Sequence, residues 1–263
     1  MTPRHRGHVD QQLVISSLRD SCLFESADER ALEDVAKQLR RRRFRRNETI
    51  FHQGDPGDSL HVVSSGAVKI VLPSLEGEEA IIATLRSGDF FGELALLDGA
   101  PRSATAVALE ATETWTLPRA AFLTLLDRDK HLRESLLAGL AHELRRITGH
   151  VEELHFLDLA GRLASRLARL AREEDAEATA IRLDWPYTQS DLASMIGGTR
   201  QSVNKLLSGL VERGLVVIEK DKLVIPDVEA VVLVAERCAP LPRPRWGSCC
   251  ERGWYTRLTL PTS

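Results

Sequence analysis

Between Gly88 and Ala108 the chain reads GDFFGELALLDGAPRSATAVA, and four residues in this stretch have chemistry to do together. Gly92 lets backbone come close to a bound group. Glu93 opens a short turn of helix and offers acceptor oxygens to sugar hydroxyls. Arg102 presents a planar fork of N–H donors to phosphate oxygens, and Ser103 adds a hydroxyl and a backbone donor. A carboxylate beside a phosphate would repel it. Here nine positions separate Glu93 from Arg102. A turn of that length can set the two against opposite ends of one ligand, a sugar at one end and a cyclic phosphate at the other. From residue types alone, the pair could instead close on itself as a partly buried salt bridge.

A second string, TQSDLASMIGGTRQSVNKLLSGLVERGLVVIEKDKLVIPD from Thr188, contains two short helices broken at Gly197-Gly198 and then an apolar hairpin. That is the grammar of a helix-turn-helix followed by a wing. Thr188 with Asp191 forms a capping-box start, with Leu192 and Ile196 facing inward, and Thr199 caps the second helix. In that helix Val203, Leu206, Leu207 and Leu210 form the buried face. Arg200, Gln201, Asn204 and Lys205 project from the other side near the N-terminus, where side chains reach base edges. Residues 160–236 hold 10 basic and 12 acidic side chains, so the region as a whole is not a basic patch. The stretch from Thr199 to Leu210, however, carries Arg200 and Lys205 with no carboxylate, so the surface entering a groove can be positive. A helical hairpin packed in a core is the alternative reading.

The elements that must position these groups follow from the punctuation. From about Asn47 to Pro118, short apolar runs alternate with Gly- and Pro-bearing turns, as in an all-β roll. From about Asp127 to Asp158 there is no proline. Leu137, Leu140, Leu144, Ile147, Val151 and Leu154 recur there at steps of 3, 4, 3, 4 and 3, a heptad seam on a helix on the order of 45 Å long. A parallel partner helix suits this seam; packing on its own domain is the other reading, and Gly139 and Gly149 weaken the pattern. The expected organisation is α+β: a tail at 1–12, a jelly-roll-like β-roll at 13–126, a dimerisation helix at 127–158, a winged helix-turn-helix at 159–236 and a tail at 237–263.

Composition excludes several classes. The 263 residues carry 35 basic and 38 acidic side chains, a net charge of −3, and are 43% hydrophobic, the balance of an ordinary soluble protein of one or two domains. No run of about 18 apolar residues exists, and the opening MTPRHRGHVD lacks the apolar core of a signal peptide, so a cytoplasmic location without membrane contact is expected. Cys22 stands apart, and Cys238, Cys249 and Cys250 crowd into the last 26 residues with no zinc-ligand spacing. There is no P-loop, no HExxH and no serine elbow, and about 105 residues after Asp158 are too few for a kinase domain, so no enzyme is expected. The Arg40–Arg46 run, interrupted only by Phe44, reads as a solvated strand edge with nucleic-acid contact as the lesser reading.

The Gly88–Ala108 string closely resembles the phosphate-binding cassette of cyclic-nucleotide-binding domains. With the heptad helix and helix-turn-helix behind it, the chain resembles the CRP/FNR family of transcription factors over about Leu13 to Glu236. The resemblance implies cAMP or another cyclic nucleotide as effector, with the ribose-binding glutamate on Glu93, the phosphate-binding pair on Arg102-Ser103, and Gly92 and Leu94 supplying backbone. In cAMP-binding members two consecutive hydroxyl residues of the dimer helix meet the adenine, one from each subunit. Registered on Phe156-Leu157-Asp158 they fall on Ile147, which has no hydroxyl, and Thr148. The family's base-reading positions fall on Arg200, Gln201 and Lys205, and its phosphate contacts on Thr188, Ser190, Thr199 and Ser202. Double-stranded DNA, a second copy of the chain and RNA polymerase are the implied partners. A constitutive DNA-binding dimer, or one that senses a different small effector, is the competing reading. The iron-sulfur branch needs an N-terminal cysteine cluster that Cys22 alone cannot supply. For the haem branch His52 and His61 lack context, and both read as surface or turn histidines. No metal is expected.

Overall fold

The computed structural model describes residues 14–237, apart from positions 16, 17, 22, 26, 28 and 221. The expectations for the two tails and for Cys22, Cys238, Cys249 and Cys250 lie outside the described residues.

The fold is α+β. A short helix α1 (Glu29–Ala36) leads into eight strands: β1 (Arg40–Phe44), β2 (Thr49–Phe51), β3 (Ser59–Ser65), β4 (Val68–Pro73), β5 (Glu79–Leu85), β6 (Phe90–Phe91), β7 (Thr105–Ala108) and β8 (Thr112–Pro118). They form two four-stranded antiparallel sheets, ordered β1-β8-β3-β6 and β2-β7-β4-β5. Val63 and Phe91 of one sheet meet Val68 and Ala106 of the other in a buried cluster, which is why these short apolar runs fold as a roll. The Arg40–Arg43 run lies on an edge strand with its side chains exposed, and Arg41 and Arg43 both pair with Glu113.

Between β6 and β7 sits helix α2 (Leu94–Asp98), and after the roll comes α3 (Arg119–Arg128). The long helix α4 (Lys130–Phe156) starts at Lys130 rather than at 127, because Asp129 leaves helical geometry and its carboxylate accepts from the N–H groups of His131 at 2.8 Å and Leu132 at 3.1 Å. At the other end Leu157 is extended and Asp158 caps α5 (Leu159–Glu174) by accepting from the Gly161 N–H at 2.8 Å.

The rest is a winged helix-turn-helix: β9 (Ile181–Asp184), α6 (Gln189–Ile196), α7 (Arg200–Glu212), β10 (Val217–Glu219), β11 (Lys222–Ile225) and α8 (Val228–Arg237), with the strands ordered β10-β11-β9. The chain is still helical at Arg237, so the expected tail boundary cuts the last turn of α8. This module is not separated from the roll. Leu163, Leu167, Leu192 and Ile196 share one buried apolar cluster with Val71, Ile81 and Leu109 of the roll. Lys69 on β4 reaches Asp191 at 2.9 Å, and Arg46 donates to the Pro186 carbonyl at 3.0 Å.

The Lys69–Asp191 pair is only 13% and 12% exposed. Burial pushes the Asp191 carboxyl up, but hydrogen bonds from the Thr188 hydroxyl and backbone and from Lys69 outweigh it and hold the group below its ordinary value. A carboxyl depressed in the folded state stabilises above its unfolded pKa, and that stability is lost as pH falls through the folded value. Replacing Lys69 by Met removes the charge but leaves the Thr188 bonds. It should therefore cost about 1–3 kcal/mol at neutral pH and move acid unfolding to higher pH, as read by denaturant titration and acid-unfolding curves.

Candidate ligand cleft and nucleic-acid interface

The β6–α2 turn, the segment before β7 and one face of α4 enclose a cleft of about 440 Å³, within the roughly 300–1,000 Å³ range of small-ligand sites. Gly92, Glu93, Leu94, Arg102 and Ser103 all line it, so five of the residues singled out from the sequence meet in one place. Thr148 is not among the lining residues. Its side chain is exposed on α4, and its hydroxyl donates to the Leu144 carbonyl at 2.9 Å.

Arg102 is only 4% exposed and is fixed from several sides. Its Nη1 donates to the Gly92 carbonyl at 2.7 Å and its Nη2 to the Ser59 carbonyl at 2.8 Å, while the Phe51 ring centroid lies 4.2 Å from the guanidinium carbon. The nearest ion-paired carboxylate is the exposed Asp58 at 3.6 Å, and Nε is buried with no hydrogen-bond partner. Among the described residues no ion pair joins Arg102 to Glu93, so the self-closing pair left open by the sequence is not what forms. Gly92 is the residue that permits this: its φ is +84°, and a Cβ there would lie 2.4 Å from Arg102 Nη1.

Glu93 precedes the first turn of α2, with its carbonyl accepting from Leu96 and Leu97 at 2.9 and 3.0 Å, and its carboxylate makes no capping bond. Burial pushes its carboxyl up. The facing Glu143 adds to this, while its own backbone N–H and Arg102 oppose it. Ser103 is exposed at the mouth, with its carbonyl held by the Gln53 side chain at 3.2 Å. The wall from α4 consists of Gly139, Leu140, His142, Glu143 and Ile147, one helical face. Sequence reasoning had placed Ile147 there but not His142 or Glu143. Their spacing from Gly139 and Ile147 was a readable signal, whereas nothing local marks Phe51, Asp58 or Ser59, which arrive from distant strands.

His61 departs from expectation. It is buried, not a surface or turn residue. Its ring stacks on Phe91 at 4.9 Å, and burial, together with Arg102 and Arg42, brings its pKa down to about 3. It is therefore a neutral part of the wall behind Arg102. Among the described residues no three His, Cys, Asp or Glu side chains gather to hold a metal ion, and no helix is long and apolar enough to cross a membrane.

On α7, Val203, Leu207 and Leu210 are buried, whereas Arg200, Gln201, Asn204 and Lys205 are exposed near its N-terminus. Thr199 caps the helix by accepting from the Ser202 N–H at 3.1 Å, and the two hydroxyls share a hydrogen bond at 2.9 Å. Thr188 forms the full capping box with Asp191, its hydroxyl donating to the carboxylate at 2.7 Å; Thr188 and Ser190 are exposed. Among the described residues nothing covers the outer face of α4: Leu137 is 64% exposed and Leu144 66%, and Ile147, Val151 and Leu154 are also exposed, so the described part of the domain does not bury this seam. Leu140 alone is half-buried, against the roll.

A roll with a charged cleft, joined by one long helix to a winged helix-turn-helix, is the architecture of a DNA-binding protein with a small-ligand domain. The cyclic nucleotide-binding domain family matches residues 41–129 and the Crp-like helix-turn-helix domain family residues 161–232. The chain is 33% identical over 208 residues to the CRP-like cAMP-activated global transcriptional regulator of Mycobacterium tuberculosis, covering 79% of this chain and 93% of that one. It is 34% identical over 199 residues to the cyclic AMP receptor protein of Thermus thermophilus, covering 76% and 89%. Among solved structures, FixK2 from Bradyrhizobium japonicum shares the fold with a TM-score of 0.68 at 22% identity, over 78% of this chain and 99% of that one. The chain belongs to the CRP/FNR family: it is a CRP-like DNA-binding transcription regulator with a cyclic-nucleotide-binding domain.

A carboxyl raised in the folded state is, when ionised, a local cost; its contribution to stability is present below the unfolded pKa and is lost as pH rises through the folded value. Glu93→Gln should therefore raise the unfolding midpoint at neutral pH, and the gain over native protein should vanish below about pH 4, near the free glutamate value, in thermal melts across pH.

Proposed function

We propose that two copies of the chain pair through the exposed α4 seam and bind a palindromic operator under the control of a cyclic nucleotide, cAMP in the first instance. The observation that carries this reading is Arg102, a guanidinium lining the cleft whose fork is held by neutral carbonyls and whose one ion pair among the described residues is with the exposed Asp58, with Glu93 and Asp55 acting from farther off. A phosphate supplies the anion that this site lacks. Glu93, at the other end, accepts from ribose hydroxyls, with Gly92 and Leu94 giving backbone contacts and Ser103 a hydroxyl to the phosphate. Relatives at 33% and 34% identity that are named for cAMP support that choice of effector.

Because α4 forms one wall of the cleft and ends at the Asp158 cap, a ligand seated against Glu143 and Ile147 biases how α4 meets its partner and how the winged module hangs from it. Thr148, which does not line its own cleft, is in this reading the residue that reaches the partner's. In the groove Arg200 reads guanine, Gln201 prefers adenine and Lys205 contributes a point charge. Thr188, Ser190, Thr199, Ser202 and the free N–H groups that open α7 meet phosphates. RNA polymerase is the protein partner through which such a regulator acts.

One observation favours a second reading. Ile147 gives the base end of the cleft an apolar wall, which suits an effector other than cAMP or a regulator that binds DNA without one. Calorimetric titration of nucleotide-free protein with cAMP and then cGMP separates these. The proposal predicts micromolar binding that falls at least about 100-fold in Arg102→Ala, since two charge-assisted hydrogen bonds are lost. No heat and no thermal shift with either nucleotide would leave the second reading. For the seam, Leu144→Lys should yield monomers at micromolar concentration in sedimentation, with operator affinity lost in parallel.

A further inference from the structure

A second, smaller cavity of about 20 Å³ lies where the roll, α4 and the DNA-binding module meet. Aliphatic carbons of β5 and α6 close it, and its polar wall is Arg146, His150 and Glu153 from α4 with Arg162, Arg166 and Arg169 from α5. Four guanidinium groups thus surround one carboxylate. That carboxylate is already used: both Glu153 oxygens accept from Arg169 at 2.6 Å, and the Ser165 hydroxyl donates to one of them at 2.7 Å. Burial alone would push Glu153 up, yet His150, Arg169 and Ser165 hold it at about 2, so it is fully charged. Arg146 is paired with Glu143.

Arg162 and Arg166 are left over. Arg162 donates to the carbonyls of Leu157 at 3.1 Å and Ile196 at 2.9 Å, and Arg166 reaches only the Thr84 hydroxyl at 3.4 Å. Among the described residues neither forms an ion pair. The Nε of Arg166 is sealed from solvent with no hydrogen-bond partner, and so is the hydroxyl of Tyr187, which interacts electrostatically with Arg166; Glu173 attracts it as well, without pairing. Burying guanidinium charge without a counter-ion is strongly unfavourable. A cavity of this size holds one water or one monatomic ion. Water would satisfy a donor but leave the charge; an anion does both.

We propose that this cavity binds a single monatomic anion of chloride size, held by Arg166 with Arg146, Arg162 and Arg169 around it. Its ligands come from α4 and α5, and its lid from β5 and α6. The anion therefore binds only when the DNA-binding module is docked on the roll, and it stabilises that arrangement by mass action. This site adjoins the nucleotide cleft, sharing Ile82 with it and touching it through the Arg146–Glu143 pair, but its ligands are other residues and its test uses neither nucleotide nor DNA.

The experiment is thermal unfolding of the full chain in sodium chloride and sodium bromide against sodium gluconate at one fixed ionic strength, together with anomalous diffraction from bromide-soaked crystals. A saturable rise of roughly 2–4 °C with halide is expected, absent in Arg166→Met and Arg166→Gln, with a bromide peak inside the arginine cluster of the native protein. A water and no bromide at that position, or a halide gain that persists in both variants, would overturn the assignment. So would a gain with inorganic phosphate and none with halide.

Discussion

A cation held inside a β-roll must be given acceptors, and the geometry around the cleft follows from giving them to Arg102. Its fork is met by the carbonyls of Gly92 and Ser59, its face by the Phe51 ring and its charge by Asp58 at the surface. Each partner comes from a different strand or turn, so the two sheets must close in one register before the guanidinium is satisfied. Position 92 requires glycine both for its positive φ and because any Cβ would meet Nη1, and His61 nearby stays neutral because burial and the Arg102 field oppose its protonation. The roll is thus organised around a positive charge whose present acceptors are mostly neutral. That is a favourable starting point for binding an anion, because the cost of placing the charge was met on folding.

The same helix serves three purposes at once. One face of α4 closes the cleft, an overlapping face that shares Leu140 and Ile147 with it presents the apolar seam, and just past its end Asp158 caps α5. In the proposed mechanism a change in how Glu143 and Ile147 are contacted passes along α4 to the seam and to the break at Leu157–Asp158 without a longer relay. The winged module is at the same time tied to the roll by the Lys69–Asp191 pair, by Arg46 on the Pro186 carbonyl and by a shared apolar core. A signal that redirects this module has to compete with those contacts. Asp191 belongs to both sides of that competition, since it also closes the capping box that orients Thr188.

Local grammar made much of this legible. The capping box at Thr188 and Asp191, the Thr199 cap and the buried face of α7 were readable because each depends on residues a few positions apart, and the β-roll because its short apolar runs and the turns between them are local even though its strand pairings are not. The cleft's Gly92, Glu93, Leu94, Arg102 and Ser103 were readable because one turn carries all of them. Four things were not. β9 has only two inward side chains, and α8 is rich in β-branched valines that read as strand until packing against α5 overrides propensity. His61 looked like a surface histidine because its burial is set by Phe91 and Thr114, 30 and 53 positions away. The acceptors of Arg102 at Ser59 and Gly92 are backbone atoms, and no residue type announces a carbonyl.

In the proposed mechanism a nucleotide at Arg102 and Glu93 changes how the recognition helices meet DNA. Fluorescence anisotropy on a labelled palindromic operator, at fixed salt with and without saturating cAMP, measures this most directly. A tightening of at least about tenfold is predicted, a coupling of about 1.4 kcal/mol, retained in native protein and absent in Arg102→Ala. Identical operator affinity with and without nucleotide, in protein shown to have bound it, would contradict the account.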